Sequence, residues 1–205
     1  MKNDWLEWAK KLEAIAQIGL TFNKNPYDLE NYAKIRDIAA EMFAANSQLQ
    51  KAEILTLMAS SIGYATPKID VRGALFRQDT ILLVQEKIDG CWSLPGGWAD
   101  INDSAGESVE REIWEEAGLR TKAVKLIALF DKHKHHHPAD VLHAYKAFFL
   151  CDFISGELKT NHETLDAQFF ALDNLPPLSL PRVTQAQILT CHAHYKNKDL
   201  PTEFD

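Results

Sequence analysis

The stretch from Gly97 to Leu119, GWADINDSAGESVEREIWEEAGL, constrains this chain more than any other. A helix is expected over roughly Ser104 to Ala117, with Val109, Ile113 and Leu119 able to face the core. On that helix Glu112, Glu115 and Glu116 stand at i, i+3 and i+4 and share one face. Three like charges so close are unfavourable unless something positive compensates them. Hard divalent cations take oxygen ligands, and Mg²⁺ typically sits on a few carboxylates, water and substrate phosphates. Arg111, four residues before Glu115, can neutralise and orient that carboxylate. Gly118 fits a helix end that needs a left-handed backbone. Gly96-Gly97 lets the backbone turn sharply and approach a ligand, and a carbonyl near Gly97 is a further candidate oxygen. Glu-rich helix faces are common and usually only solvated. The placing of Gly97, Asp103, Arg111 and Gly118 around these glutamates is what favours a site.

The rest of the chain divides by texture. Residues 1–64 read as three helices. The first has an apolar stripe of Trp5, Trp8, Leu12, Ile15 and Ala16. The second opens at Asn25-Pro26, with Tyr32, Ile35, Ile38, Ala39 and Met42. The third opens with a capping-box pattern at Ser47–Gln50, carries Ile54, Leu57, Met58 and Ile62, and stops at Gly63. Ala65-Thr66-Pro67 breaks the run. A second domain, 67–205, then shows β-rich runs at Ile69–Phe76, Thr80–Gln85, Ala123–Phe130, His143–Phe153 and Gln168–Ala171. The carboxylate helix is interleaved with these runs, and a last helix covers Val183 to His194. The order implies an α+β fold, an α/β/α sandwich behind a three-helix domain.

With 22 basic and 29 acidic residues the net charge is −7, which argues against a general nucleic-acid binder. An acidic protein that handles phosphates needs a way round charge repulsion, and a carboxylate-held cation provides it. No apolar run approaches a membrane span, and MKNDWLEWAKKLE has no secretory core, so a cytoplasmic protein is expected. Cys91, Cys151 and Cys191 read as reduced thiols. The run Lys132-His133-Lys134-His135-His136-His137 reads as a polar loop, with no ligand spacing standing out.

The 23-residue stretch resembles the Nudix box: Gly, five residues, Glu, seven residues, then Arg-Glu-apolar-any-Glu-Glu-any-Gly-apolar. Eight of its nine defined positions match, and Asp103 stands where the family has Glu. The resemblance implies that Glu112, Glu115 and Glu116, with the Gly97 carbonyl, bind Mg²⁺ or Mn²⁺. It further implies that Arg111 holds the cluster, that Asp103 supports it with a shorter reach, and that water attacks phosphorus in line. The general base stays open between Glu115 and a later loop carrying Glu163 and Asp166.

The three-helix segment, Thr66–Arg72, Leu94–Asp100, Phe130–Lys132, Tyr145-Lys146, Glu163-Thr164, Phe169-Phe170 and Leu178–Thr184 resemble a bacterial subgroup. Its members hydrolyse X-linked nucleoside diphosphates of the ADP-ribose or CDP-choline type. That resemblance implies a nucleoside diphosphate derivative as substrate. Arg72 would reach a phosphate, Trp98 would stack on a base, and Asp131, Lys132 and His133 would line the pocket. The N-terminal helices either cover the core or form a homodimer, which Trp5 and Trp8 favour. Two other readings compete: a non-cleaving nucleotide sensor, and RNA 3′-end processing, for which the net charge is unsuited.

Overall fold

A computed structural model describes residues 4–205. The chain separates into two compact units. One comprises the described residues up to Pro67 with Ala139–His143, and the other Lys68–Pro138 with Ala144–Asp205. No helix among the described residues is long and apolar enough to cross a membrane.

The first unit holds α1 (Asp4–Phe22), α2 (Pro26–Ala44) and α3 (Lys51–Ala59). The Asn25 side chain accepts from Tyr27 N at 3.0 Å and caps α2, with Pro26 in the first turn where no donor is lost. The core is Ala9, Ala39, Ala40, Phe43, Ile54 and Met58, flanked by Trp5 and Leu12, and Ala16 is buried as well. Small residues let α1 and α2 approach closely, and a side chain at Gly19 would overlap the Tyr32 ring. The larger side chains of the expected stripes are therefore displaced outward. Trp8, Ile15 and Ile38 are each more than half exposed. Between the helices, Glu13 and Arg36 form an ion pair at 3.1 Å.

The start of α3 also differs from expectation. Gln50, not Ser47, is its N-cap residue, and Gln50 N donates to Glu53 Oε2 at 2.8 Å. Ser47 instead accepts from Leu49 N in a local turn. The helix ends at Ala59, before Ile62 and Gly63, and leaves Ile62 exposed.

The second unit is a sheet between two helices. Strands β1 (Lys68–Arg77), β2 (Thr80–Glu86), β3 (Trp92–Ser93), β4 (Leu119–Asp131), β5 (Ala144–Gly156), β6 (Thr164–Ala171) and β7 (Glu203–Phe204) lie in the order β3-β2-β1-β5-β4-β7, with β6 on β2. β1 and β5 are parallel and aligned from Lys68↔Ala144 to Leu75↔Cys151. Val71, Leu75, Leu82, Val84, Ala147 and Cys151 pack under α4 (Ala105–Ala117), with Val109, Ile113 and Ala117. Their neighbours in sequence, Ala74, Ile81, Leu83, Phe148 and Leu150, pack on the other face against Val183 and, from α5 (Gln185–Lys196), Ile188 and Cys191. Burial on both faces is why these strands read as near-continuous apolar runs.

β3, β7 and a 3₁₀ turn at Lys132–Lys134 escape the sequence reading, because two or three residues show no period. β4 begins immediately after Gly118, earlier than expected. Gly118 has φ +72°, and a Cβ there would stand 2.6 Å from the Glu157 carbonyl oxygen. Glycine thus ends α4 and starts the strand in one step.

The cap of α5 reaches into the histidine run. Thr184 N donates to Gln187 Oε1 at 3.0 Å, and Gln187 Nε2 lies 2.9 Å from His137 Nε2. His137 Nδ1 lies 2.6 Å from the Leu180 carbonyl oxygen, so the neutral ring carries its proton on Nδ1 and accepts from Gln187. Burial, with the charges of Lys146 and Lys132, pulls the His137 pKa down to about 4. A histidine depressed in the fold stabilises it above the unfolded value of about 6.5, and that contribution is lost as pH falls towards 4. We expect wild type to lose more unfolding stability than His137→Leu between pH 6.5 and 4, read by urea denaturation. Equal losses would contradict the assignment.

Candidate active site

α4 is held at its start by a capping box: Glu107 N donates to Ser104 Oγ at 3.2 Å, and Ser104 N to Glu107 Oε2 at 2.9 Å. With Val109, Ile113 and Ala117 turned into the core, Glu112 and Glu116 fall at the helix flank beside the segment 94–99. That segment runs along β1: Gly73 N donates to Pro95 O, Val71 N to Gly97 O and Ala99 N to Ile69 O, at 2.8–2.9 Å.

The carboxylates and this segment meet directly. Gly96 N donates to Glu116 Oε2 at 2.8 Å. Gly96 has φ +145°, and a Cβ would overlap the Val71 carbonyl, so only glycine brings its N–H there. At Gly97 a Cβ would stand 3.0 Å from Glu112 Oε1, so its absence keeps the space over that carboxylate open. The Gly97 carbonyl already accepts from Val71 N and has one lone pair left.

Glu112 and Glu116 are buried, while the Glu115 side chain is about half exposed. Burial pushes the Glu116 pKa up to about 8. Arg72 and the Gly96 N–H oppose this, and Glu86 and Glu112 add to it. Glu112 is also raised, by burial first, with Arg111 opposing. Two buried carboxylates driven towards protonation, beside a carbonyl and an open space, fit a hard divalent cation, whose charge would offset both penalties.

Arg111 collects the acidic groups around the cluster. Its Nε is 3.2 Å from Asp103 Oδ2, and its Nη1 is 3.0 Å from Glu112 Oε1 and 3.1 Å from Glu115 Oε2. Asp103, one methylene shorter than the usual glutamate, therefore still reaches the guanidinium. Nη2 is 3.0 Å from Asp100 Oδ2 but off the hydrogen-bonding direction, so that contact is ionic only.

A second charged group lies across the segment. Arg72 Nε donates to Asp70 Oδ1 at 2.7 Å, its Nη1 donates to Leu94 O at 3.1 Å, and Lys146 Nζ donates to Asp70 Oδ2. Glu86 accepts from Ser93 Oγ at 2.7 Å and pairs with Arg182 Nε at 2.9 Å.

The structure thus gathers Gly97, Asp103, Arg111, Glu112, Glu115 and Glu116, and puts the charge of Arg72 within reach of Glu116. Trp98 is about half exposed, with Lys68 Nζ 6.0 Å from its ring centroid. Asp131 caps the 3₁₀ turn by accepting from His133 N at 3.0 Å, and Lys132 is buried. The Glu163 carboxylate is exposed and lies 3.4 Å from His162 Nε2. Thr164 next to it donates to the Glu116 carbonyl at 3.1 Å. Within the histidine run, His135 stacks on Phe130 at 4.0 Å and pairs with Asp205, while His137 serves the α5 cap.

Asp70, Asp100, Glu86 and Lys146 were given no role from the sequence, although Asp70, Asp100 and Lys146 lie in stretches that carry the subgroup resemblance. The alternation Asp70-Val71-Arg72 in an otherwise apolar strand was the one available signal, since it puts two opposite charges on one buried face.

Comparison with known proteins agrees with this geometry. A family model described as a UDP-X-like, N-terminal oligomerisation domain matches residues 3–58, and a NUDIX domain model matches residues 66–190. A putative ADP-ribose pyrophosphatase of Bacillus subtilis is 44% identical over 205 residues, covering 100% of this chain and 99% of the relative. Among solved structures, a UDP-X diphosphatase superposes with a TM-score of 0.65 at 33% identity over 98% of each chain. An ADP-ribose pyrophosphatase from Streptococcus suis gives 0.63 at 45% identity, over 68% of this chain and 100% of that one. Matched over most of its length, with the carboxylate helix intact, the chain belongs to the Nudix hydrolase family.

Proposed function

We propose that this protein hydrolyses the pyrophosphate bond of a nucleoside diphosphate linked to a second group, of the ADP-ribose or CDP-choline type, with Mg²⁺ or Mn²⁺. The observation that carries the reading is the pair of buried carboxylates, Glu112 and Glu116, facing Gly96 and Gly97. The names of the similar proteins, ADP-ribose pyrophosphatase and UDP-X diphosphatase, support the same substrate class.

In this reading Glu112, Glu115 and Glu116 hold the cation, with the free lone pair of the Gly97 carbonyl. When bound, the cation supplies charge neutralisation at the phosphates and Lewis acidity for the attacking water. The Gly96 N–H fixes Glu116, and Arg111 fixes Glu112 and Glu115, so the carboxylates are set before substrate arrives. Asp103 keeps Arg111 in place. Arg72 contacts a phosphate, Trp98 stacks on the base through its exposed face, and Asp131, Lys132 and His133 border the pocket. Glu115, half exposed and tethered by Arg111, suits the general base better than Glu163, which lies on the surface beside His162. The intact glutamates favour an enzyme over a sensor, whose binding would not require them. Buried, unpaired Cys151 and Cys191 suit a reducing compartment such as the cytoplasm.

The first test is product analysis with Mg²⁺ on ADP-ribose, CDP-choline, a UDP-sugar, NADH and a short RNA. We expect one small diphosphate to be cleaved, and Glu116→Gln or Glu115→Gln to lower kcat/KM by about two orders of magnitude. Binding without cleavage across the panel would favour the sensor. RNA as the sole substrate would overturn the small-diphosphate reading.

We also propose that the helical unit forms a homodimer. Trp8, Ile15 and Phe22 recur every seven residues on α1 and are 56%, 51% and 63% exposed. A stripe of this period suits a second helix, and the matching family model describes an oligomerisation domain. Light scattering should give twice the 23.2 kDa chain mass for wild type, and the monomer mass for Ile15→Asp. A monomeric wild type would refute the dimer.

A further inference from the structure

Lys146 is a lysine with no exposed surface, in a strand whose neighbours on the same face, Phe148 and Leu150, are core residues. An apolar residue of similar volume would pack there without the desolvation cost of an ammonium. The lysine therefore calls for an explanation beyond packing. Being fully buried, it does not reach a substrate.

The geometry supplies one. Asp70 and Lys146 are Cα partners in the parallel β1–β5 register, and Arg72 stands two residues along the same face of β1. One oxygen of Asp70 accepts from Arg72 Nε and the other from Lys146 Nζ. Without Lys146, Asp70 and Arg72 would be a closed pair, neutral towards anything outside it. With Lys146, the three side chains carry one surplus positive charge. Arg72 and Lys146 share that surplus, and Arg72, itself 5% exposed, is the member whose charge acts on Glu116 and which bonds to the segment 94–99. Burial would raise the Asp70 pKa, but Arg72 and Lys146 outweigh it and hold the carboxylate below its usual value. Burial and Arg72 draw Lys146 down from the usual lysine value, and ionised Asp70 opposes them.

We propose that Lys146 is a positioning residue for substrate binding: by saturating Asp70 it leaves the Arg72 charge available to a substrate phosphate. The inference rests on the reading above that Arg72 contacts a phosphate, and the two are tested separately.

The experiment is steady-state kinetics with Mg²⁺ and the diphosphate cleaved in the panel, at about pH 6.5 to keep the ammonium protonated. Each variant is checked by thermal unfolding. Arg72→Met tests the underlying reading, and an unchanged KM sinks both it and the proposal. If Arg72→Met raises KM, Lys146→Met should also raise KM about tenfold, with kcat within about threefold of wild type. Adding Asp70→Asn to Lys146→Met removes the unsaturated carboxylate and should return KM to within about threefold. A lysine needed only for structure would lower the unfolding temperature and leave KM unmoved, which overturns the proposal alone. A double variant that fails to recover KM overturns it as well. If Lys146→Met does not fold, the Asp70→Asn background decides. There Lys146 has nothing to saturate, so its replacement should leave KM unchanged, and a large rise would refute the account.

Discussion

Two glutamates on one helix face, both out of water, set the terms for the rest of this structure. Glu112 and Glu116 are buried where α4 meets the segment 94–99, and burial raises the pKa of each. Desolvated carboxylates persist only where something compensates them. Part of the compensation is visible. Gly96 gives an N–H to Glu116, Arg111 binds Glu112, and Arg72 adds a positive field. The cation we propose would supply the rest. The helix must sit where its glutamates meet that segment. The Ser104 cap, the apolar face of Val109, Ile113 and Ala117, and the Gly118 turn into β4 all fix it there.

Charge in the second unit is arranged by zone. The chain as a whole carries −7. Arg111 lies within 3.2 Å of four carboxylates, those of Asp100, Asp103, Glu112 and Glu115. Beyond the segment 94–99, by contrast, Arg72 and Lys146 share the single carboxylate of Asp70. In the function proposed above, a diphosphate bound through a cation would use both zones: oxygens for the metal and positive charge for the phosphate oxygens the metal leaves over. The second zone is built into the sheet interior, which protects it from screening by salt.

Much of this was legible in the sequence, for identifiable reasons. Helix α4 was readable because its apolar positions and its glycine stop are local, and the candidate site residues on it were picked out by helical spacing. The central strands were readable because both their faces are apolar. What depends on distant partners was not readable. Trp8 and Ile15 look like core residues by period, but Ala9, Ala16 and Gly19 give α1 its close-packing face. Gln50 rather than Ser47 caps α3, because the glutamate that completes the box is Glu53. Lys146 and Asp70 are 76 residues apart and meet only through strand register, which no local pattern records. Glu163 was placed by its position ahead of a strand, but its carboxylate faces His162 at the surface.

The central claim is that Glu112 and Glu116 form a cation site. Its most direct test is thermal unfolding of the full chain with and without Mg²⁺ or Mn²⁺, in wild type and in Glu112→Gln/Glu116→Gln. A ligand bound only by the folded state raises its stability by about 2.7 kcal/mol at a hundredfold excess over Kd. The account predicts a metal-dependent rise in Tm for wild type that disappears in the double variant. The metal-free variant should be at least as stable as metal-free wild type, because two buried carboxylates have been neutralised. No shift with metal in wild type, or the same shift in the variant, would contradict the claim.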